Sequence, residues 1–179
     1  MGLGTAGQLA LRLGRAHGAS RIAGADRVAS RLARARESGA DDVFDVDGET
    51  LAGGAARFSG GRGFDFVFVC PGKSAVLREA SEAVAPGGTL LLFTMTPPGE
   101  DIALTGHDLY FREVSLVPSY SCGPDDTREA LELLASDRVA VADLVTHRFP
   151  VDRAADAFAR ARNPDGSVKV VITFGEGGR

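Results

Sequence analysis

The sequence predicts an α/β fold of the Rossmann type, in which helices cover both faces of a doubly wound parallel sheet. Three observations favour this fold. Strand-like and helix-like segments alternate along most of the 179 residues. Two strand candidates, residues 64–70 and 89–93, are nearly continuous apolar runs, as in parallel strands that are covered on both faces. The chain also opens with a glycine-rich turn, Met1-Gly2-Leu3-Gly4-Thr5-Ala6-Gly7.

The first half of the chain contains three strand candidates separated by helices. Apolar residues at helical spacing predict a helix directly after the glycine turn, with an apolar face formed by Ala6, Leu9, Ala10, Leu13 and Ala16. Glycines at 18 and 39 are placed to end the first two helices. We predict strands at 20–25, 42–45 and 64–70, and helices at 6–16, 28–37 and 49–58.

The second half continues the alternation. A helix begins after Pro71-Gly72 and carries Val76, Leu77, Ala80 and Val84 on one face, and Pro86-Gly87-Gly88 ends it. Beyond it, the apolar patterns predict strands at 89–93, 114–118, 144–149 and 168–174, a helical turn at 109–111, and helices at 125–135 and 151–161.

Composition excludes several classes of protein. A net charge of −4 and a pI near 5.4 disfavour a protein that binds the nucleic-acid backbone. We find no apolar run of the roughly 20 residues that a membrane span needs and no signal-peptide pattern, so we expect a cytoplasmic location with no membrane or nucleic-acid partner. Cys70 and Cys122 are too few for a disulfide scaffold. The histidines, His17, His107 and His147, have no metal-ligand spacing with them, and we assign no metal ligand.

The glycine turn matches the G-x-G-x-x-G pattern that places a dinucleotide pyrophosphate at a helix N-terminus. A tight turn before a helix explains these glycines equally well when they are considered alone. Two further features favour the cofactor: an amphipathic helix follows at once, and Asp26 ends the next strand about 20 residues later, where a carboxylate accepts both ribose hydroxyls. Asp26 also suits a helix cap. Its charge would repel the 2′-phosphate of NADP and favours NAD, whereas the adjacent Arg27 could accommodate that phosphate.

Several segments together resemble a known family: GLGTAGQLALRLGRAHGASRIAGAD, SGADDVFD, FDFVFVCPG and APGGTLLLF. They are similar to the nucleotide-binding half of the medium-chain dehydrogenases/reductases, and within these to the zinc-dependent alcohol, sorbitol and threonine dehydrogenases. The resemblance extends from Gly2 to Phe174 and includes THRFPVDRAADAFARA and SVKVVITF.

The resemblance implies a set of cofactor-binding residues and no catalytic residue in this chain. It places Gly2, Gly4, Thr5, Ala6 and Gly7 in the pyrophosphate turn, and Asp26 and Arg31 at the adenosine ribose. Three later groups follow strand ends: Cys70-Pro71-Gly72 beside the adenosine and ribose, Phe93-Thr94-Met95 at the nicotinamide carboxamide, and Pro118-Ser119 in a similar position. Lys169 matches a position where some relatives have a pyrophosphate-binding arginine, although a solvated charge explains it equally well.

The resemblance also implies missing parts. The first strand of the 3-2-1-4-5-6 sheet and the GroES-like catalytic domain, with its zinc ligands, would both precede Met1. We therefore expect a truncated Rossmann domain at 1–144, a segment at 145–174 that would pack on the absent domain, and a disordered tail at 175–179. The implied activity is NAD-dependent oxidation of a secondary alcohol or polyol, with little activity by this chain alone. A homodimer through the edge strand at 114–118 is also implied.

Two other functions fit parts of the sequence. S-adenosylmethionine-dependent methyltransferases also have a glycine-rich turn and an acidic residue after their second strand, and APGGTLLLF is similar to their sequences. Against them, the third glycine of the turn and the segment THRFPVDRAADAFA fit dehydrogenases better. A non-catalytic nucleotide-binding module is the third possibility.

Overall fold

The structure, a computed structural model, describes residues 1–163 and 165–175. Residues 176–179, most of the predicted disordered tail, lie outside the described residues. Helices and strands alternate through the described ranges. The helices are α1 (Thr5–Ala16), α2 (Ala29–Glu37), α3 (Leu51–Ser59), α4 (Ser74–Ala83), α5 (Gly106–Phe111), α6 (Pro124–Ala135) and α7 (Ala154–Arg162). The strands are β1 (Ala23–Asp26), β2 (Asp42–Asp45), β3 (Phe64–Val69), β4 (Val84–Leu92), β5 (Ser115–Pro118), β6 (Val145–Pro150) and β7 (Lys169–Thr173).

The strands form parallel ladders, as predicted. β1 pairs with β2, β3 and β5 flank β4, and β6 pairs with β7. The first five strands follow the order β2-β1, then β3-β4-β5, which matches the Rossmann order with the central strand left out.

The first two residues lie between β1 and β3 and bond to both. Gly2 N donates to the Ala25 carbonyl of β1 at 2.8 Å, and Cys70 N, just after β3, donates to the Met1 carbonyl at 3.0 Å. The Met1 ammonium donates to the Phe68 carbonyl at 2.5 Å. These contacts have the form of a sheet ladder, so Met1 and Gly2 occupy the end of the central strand position.

The core has two parts, one on each face of the sheet. On β2, Phe44 belongs to a cluster that includes residues of α3, α4, β3 and β4. Its neighbour Val43 packs with Leu3, Leu11 and Leu32 of the turn, α1 and α2. Because adjacent strand residues face opposite sides, the sheet is covered on both faces, which confirms the doubly wound architecture.

Three helix and strand predictions were wrong in detail. Leu9 and Leu13, predicted on the apolar face of α1, are 36% and 41% exposed, whereas Gln8 and Leu11 are buried. The helix meets the turn through Gly7, and residues four positions apart share a face, so Gly7 and Leu11 determine the buried side.

The second error concerns the start of β4. Val84, predicted on the face of α4, instead begins β4 and pairs with Phe64, and an irregularity in register separates this pair from the regular ladder that starts at Thr89.

The third error concerns β3, which was expected to be covered on both faces. Cover on its second face is incomplete, since Phe66 is 55% exposed while Val67 and Val69 are buried.

The C-terminal segment is attached to α1 by polar contacts. Thr5 Oγ1 donates to the Val168 carbonyl at 2.7 Å, and both terminal nitrogens of Arg12 bond to the Asp143 carboxylate at 2.6 and 2.5 Å. Phe158 and Phe174 remain largely exposed, and the packing of this segment on a further domain stays a prediction.

Candidate cofactor site

A groove of about 330 Å³ lies where the glycine turn meets the ends of β3 and β4. Its volume falls within the roughly 300–1,000 Å³ of small-molecule sites. Ten of the residues assigned to the cofactor line it: Gly2, Gly4, Thr5, Ala6, Gly7, Arg31, Cys70, Pro71, Phe93 and Thr94. The structure therefore brings these ten together, and their contact with a cofactor stays a prediction.

Two of the glycines are required by the geometry of the turn. Gly2 has a φ of +80°, and a Cβ there would lie 2.9 Å from Pro71 Cδ. A Cβ on Gly7 would lie 1.9 Å from the Gly2 carbonyl oxygen, far inside van der Waals contact. The first turn of α1 consequently packs directly on the backbone of residue 2.

The N-terminus of α1 offers unsatisfied positive potential to the groove. Gly4 is the N-cap residue and supplies no side-chain cap, and no acidic residue lies in the first turn. The first N–H groups of a helix have no intrahelical acceptor, and the helix dipole adds partial positive charge there. Such a terminus favours a bound phosphate.

Asp26 lies behind the turn rather than on the groove wall. It is buried, its Oδ2 accepts from Leu3 N at 2.6 Å, and its Oδ1 accepts from Val28 N at 3.0 Å. A carboxylate has about four acceptor positions, and these two bonds use two of them. Asp26 thus fixes the turn relative to α2, and its contact with a ribose stays a prediction.

The two arginines near Asp26 differ in position. Arg31 Nη1 lies 3.6 Å from Asp26 Oδ2, and the guanidinium would be 3.9 Å from a Cβ built on Gly4, which places it on the groove wall. Arg27 is exposed and lies 3.8 Å from Asp47. It is not among the residues that line the groove, so the geometry gives no support to Arg27 as a cofactor contact.

The ends of β3 and β4 form the opposite wall. Burial raises the pKa of the Cys70 thiol, which therefore stays protonated near neutral pH. Gly72 is not on the wall but supports it, because a Cβ there would lie 2.1 Å from the Met95 carbonyl oxygen.

Three other predicted residues lie outside the groove lining. Met95 is half exposed, and Ser119 and Lys169 are exposed. Ser119 N donates to the Leu92 carbonyl at 3.0 Å, which makes it a continuation of the β4–β5 ladder.

Gln8 supports the candidate site, and the sequence did not indicate this. It is fully buried, and its Nε2 donates to the carbonyls of Leu3 at 3.3 Å and Arg31 at 3.1 Å. The side chain joins the glycine turn to α2 and so positions Arg31. A polar residue on an amphipathic helix predicts an outward side chain, and only the close packing at Gly7 reverses that expectation.

The described residues contain no group of three or more His, Cys, Asp or Glu side chains that could hold a metal ion. His17 lies beside Glu129 and His107 beside Asp108, while His147 accepts from Arg160 Nε at 3.0 Å. None of the helices in the described ranges has the length and apolar character needed to cross a membrane.

The fold and the turn define a Rossmann-type α/β domain. A model of the family described as zinc-binding dehydrogenase matches residues 6–136, and the chain belongs to this family. Rat sorbitol dehydrogenase is 34% identical over 174 residues, covering 96% of this chain and 47% of the rat protein. The predicted family is confirmed, and the matches give no support to the methyltransferase alternative.

Solved structures show the same fold. A zinc-binding dehydrogenase from Sinorhizobium meliloti bound to NADP superposes with a TM-score of 0.84 and 27% identity, covering 95% of this chain and 50% of that one. An alcohol dehydrogenase from Escherichia coli complexed with NADH has a TM-score of 0.85 at 22% identity, covering 97% of this chain and 50% of that one, and at that identity it supports the fold alone. The chain spans about half the length of the curated relatives it matches.

Proposed function

We propose that this chain binds NAD in the groove and forms the cofactor-binding part of an oxidoreductase that transfers hydride between the nicotinamide and a secondary alcohol or polyol. The contact that carries the proposal is the approach of Gly7 to the Gly2 carbonyl, with 1.9 Å between that oxygen and a Cβ built on Gly7. This packing holds the uncapped start of α1 against the groove, where a pyrophosphate would meet its N–H groups.

The preference for NAD over NADP rests on charge. The Asp26 carboxylate is buried behind the turn, and a 2′-phosphate nearby would be repelled by it. Arg27, which could offset this repulsion, lies beside Asp47 and away from the groove lining. Arg31 lies close to Asp26, and this ion pair offsets part of the positive charge that Arg31 would offer to a 2′-phosphate. The Sinorhizobium meliloti relative is bound to NADP, so the affinities of this chain for NADH and NADPH are to be measured side by side.

The proposed contribution to the reaction is binding and orientation. Nicotinamide accepts or donates the hydride, and the protein determines where its ring lies. Phe93 and Thr94 at the end of β4 are the proposed neighbours of that ring. Zinc ligands and most of the alcohol site are expected on the GroES-like domain implied by the family, so we propose little turnover by these 179 residues alone. The predicted cytoplasmic location stays a prediction.

Titration of the chain with NADH, NADPH and S-adenosylmethionine tests the proposal. NADH should bind, NADPH should bind at least about tenfold more weakly, and S-adenosylmethionine should not raise the melting temperature. Asp26→Asn should weaken NADH by about tenfold or more, since a hydrogen bond to a charged group contributes about 1.5–3 kcal/mol.

Asp45→Asn is the matched control. Asp45 ends β2 directly opposite Asp26 in the ladder but is exposed, so its replacement should leave NADH affinity unchanged. Equal losses in the two variants would reject the assigned role of Asp26. The absence of NADH binding by folded wild-type chain would reject the function.

We also propose a homodimer formed through β5. Its four residues are exposed, with Leu116 and Val117 each 41% exposed, and β4 is its only ladder partner in the described residues. An unpaired edge of this kind readily pairs with another strand. Light scattering should show a dimer at micromolar concentration that Val117→Lys abolishes, whereas Leu131→Lys on exposed α6 should remain dimeric. A monomeric wild type would contradict the proposal.

A further inference from the structure

A second, smaller cavity lies between α2 and the loop that precedes β7. Its volume is about 50 Å³, several times the roughly 10–15 Å³ that one water molecule requires. It is lined by Ser30, Arg31, Arg34, Gly166, Ser167 and Val168. Arg31 also lines the cofactor groove, so the two sites share one guanidinium group.

The cavity presents hydrogen-bond donors that lack acceptors among the described residues. Ser167 is 5% exposed, and its hydroxyl makes no hydrogen bond to the described residues. Arg31 Nε is buried and likewise has no acceptor in the described part of the chain. The Ser30 hydroxyl accepts from Gly166 N at 3.0 Å, which leaves its own proton free to donate. Buried polar groups in proteins are nearly always paired, so the unpaired Arg31 Nε, with the two serine hydroxyls beside it, indicates room for an acceptor from outside the chain.

The charge around the cavity is positive. Arg34 Nη1 lies 3.5 Å from Asp143 Oδ2, and that carboxylate is also held by Arg12. Arg31 has Asp26 at 3.6 Å. Two guanidinium groups thus line the cavity, and with Arg12 behind them they outnumber the two neighbouring carboxylates.

The start of α2 adds to this positive potential. The helix has no side-chain cap and no acidic residue in its first turn, so its dipole contributes further partial positive charge, which the Asp26 carboxylate at Val28 N offsets in part.

We propose that this cavity binds a small tetrahedral oxyanion of the phosphate type. Its oxygens accept from the Ser167 and Ser30 hydroxyls and from the guanidinium groups of Arg31 and Arg34. Guanidinium groups are donors that phosphate favours. The ligand is either free inorganic phosphate or a phosphate monoester carried by a cofactor in the adjoining groove. Binding of the free ion does not depend on the proposed dehydrogenase function, because Ser30, Arg34 and Ser167 lie outside the groove lining; binding of a cofactor's phosphate rests on that function.

Calorimetric titration with inorganic phosphate, compared with chloride at equal ionic strength, tests the site. Ser167→Ala should weaken phosphate binding about tenfold and leave the melting temperature of the free protein unchanged, since the hydroxyl makes no hydrogen bond to the described residues. Ser20→Ala, at an exposed serine, is its control and should bind as wild type does.

A second pair of variants separates the cavity from the general charge of α2. Arg34→Gln should also weaken phosphate about tenfold, whereas Arg36→Gln, at an exposed position of the same helix, should not. Wild-type phosphate affinity in both Ser167→Ala and Arg34→Gln would overturn the proposal. Equal effects of phosphate and chloride on the wild type would overturn it as well.

Repeating NADH and NADPH titrations in saturating phosphate identifies the source of the oxyanion. If phosphate weakens the binding of NADPH but not that of NADH, the cavity receives the ribose phosphate of the cofactor. If phosphate weakens the binding of neither, the cavity binds the free ion. Either result supports the site. Phosphate binding without any NADH binding would reject the proposed function while retaining the oxyanion site.

Discussion

Replacing Gly7 with alanine should damage both stability and cofactor binding. The added Cβ would lie 1.9 Å from the Gly2 carbonyl oxygen, and ordinary contact begins near 3.4 Å, so α1 and the turn must separate by about 1.5 Å. Overpacking of this kind costs about 1–3 kcal/mol, occasionally more, and we expect the upper end because the obstructing atom is backbone. For a chain of this length about 3 kcal/mol corresponds to a fall of roughly 6–12 °C in melting temperature.

Gly14→Ala on the same helix is the control. A Cβ there would lie 3.4 Å from Ile22 Cδ1, which is ordinary contact, and alanine in a helix interior is favoured over glycine by about 0.5–1 kcal/mol. The control should therefore melt slightly higher than wild type and bind NADH unchanged. Gly7→Ala should weaken NADH binding about tenfold to a hundredfold, because the displaced turn loses a hydrogen bond to a charged phosphate that contributes about 1.5–3 kcal/mol. A Gly7→Ala variant that melts at the wild-type temperature and binds NADH equally well would refute the close packing of α1 on residue 2.

Two further predictions concern charged and nucleophilic groups. The Arg12 hydrogen bonds lower the pKa of Asp143 below its ordinary 3.8. The stability that they contribute should therefore be complete above pH 3.8 and be lost as the pH falls through the lowered pKa. In urea unfolding, the free energy of unfolding that Asp143→Asn loses relative to wild type should shrink in acid, and a loss independent of pH would contradict this. Because burial raises the pKa of Cys70 while Cys122 is exposed, iodoacetamide near neutral pH should label Cys122 first, with Cys70 slowed further by NADH. Peptide mapping that finds equal rates at the two thiols would contradict that order.

Local signals predicted most of the fold. Glycines at 18 and 39, both with positive φ, ended helices where expected, and β2 has its predicted bounds. The face of α1 could not be predicted, because its rotation depends on the Gly7 contact with residue 2, which periodicity does not describe. The early start of β4 depends on pairing of Val84 with Phe64, a non-local contact that the Pro86-Gly87-Gly88 break conceals.

In the candidate site, too, local motifs were predicted from the sequence and contacts that depend on tertiary packing were not. The groove lining comes from short motifs that follow strand ends, and parallel strands bring those ends to one edge of the sheet. The position of Arg27 against Asp47 and the burial of Gln8 depend on side-chain packing, for which the motif carries no information. The small oxyanion cavity joins residues about 136 positions apart, since Gly166 bonds to Ser30, and no spacing rule reaches that far.

The most direct test of the account is calorimetric titration of the folded chain with NADH. We predict one molecule bound per chain with a Kd below about 1 mM, within the range usual for enzyme ligands, and at least tenfold weaker binding of NADPH. A chain that is folded by circular dichroism and gives no binding heat with NADH at about 1 mM would contradict the claim that this domain binds NAD.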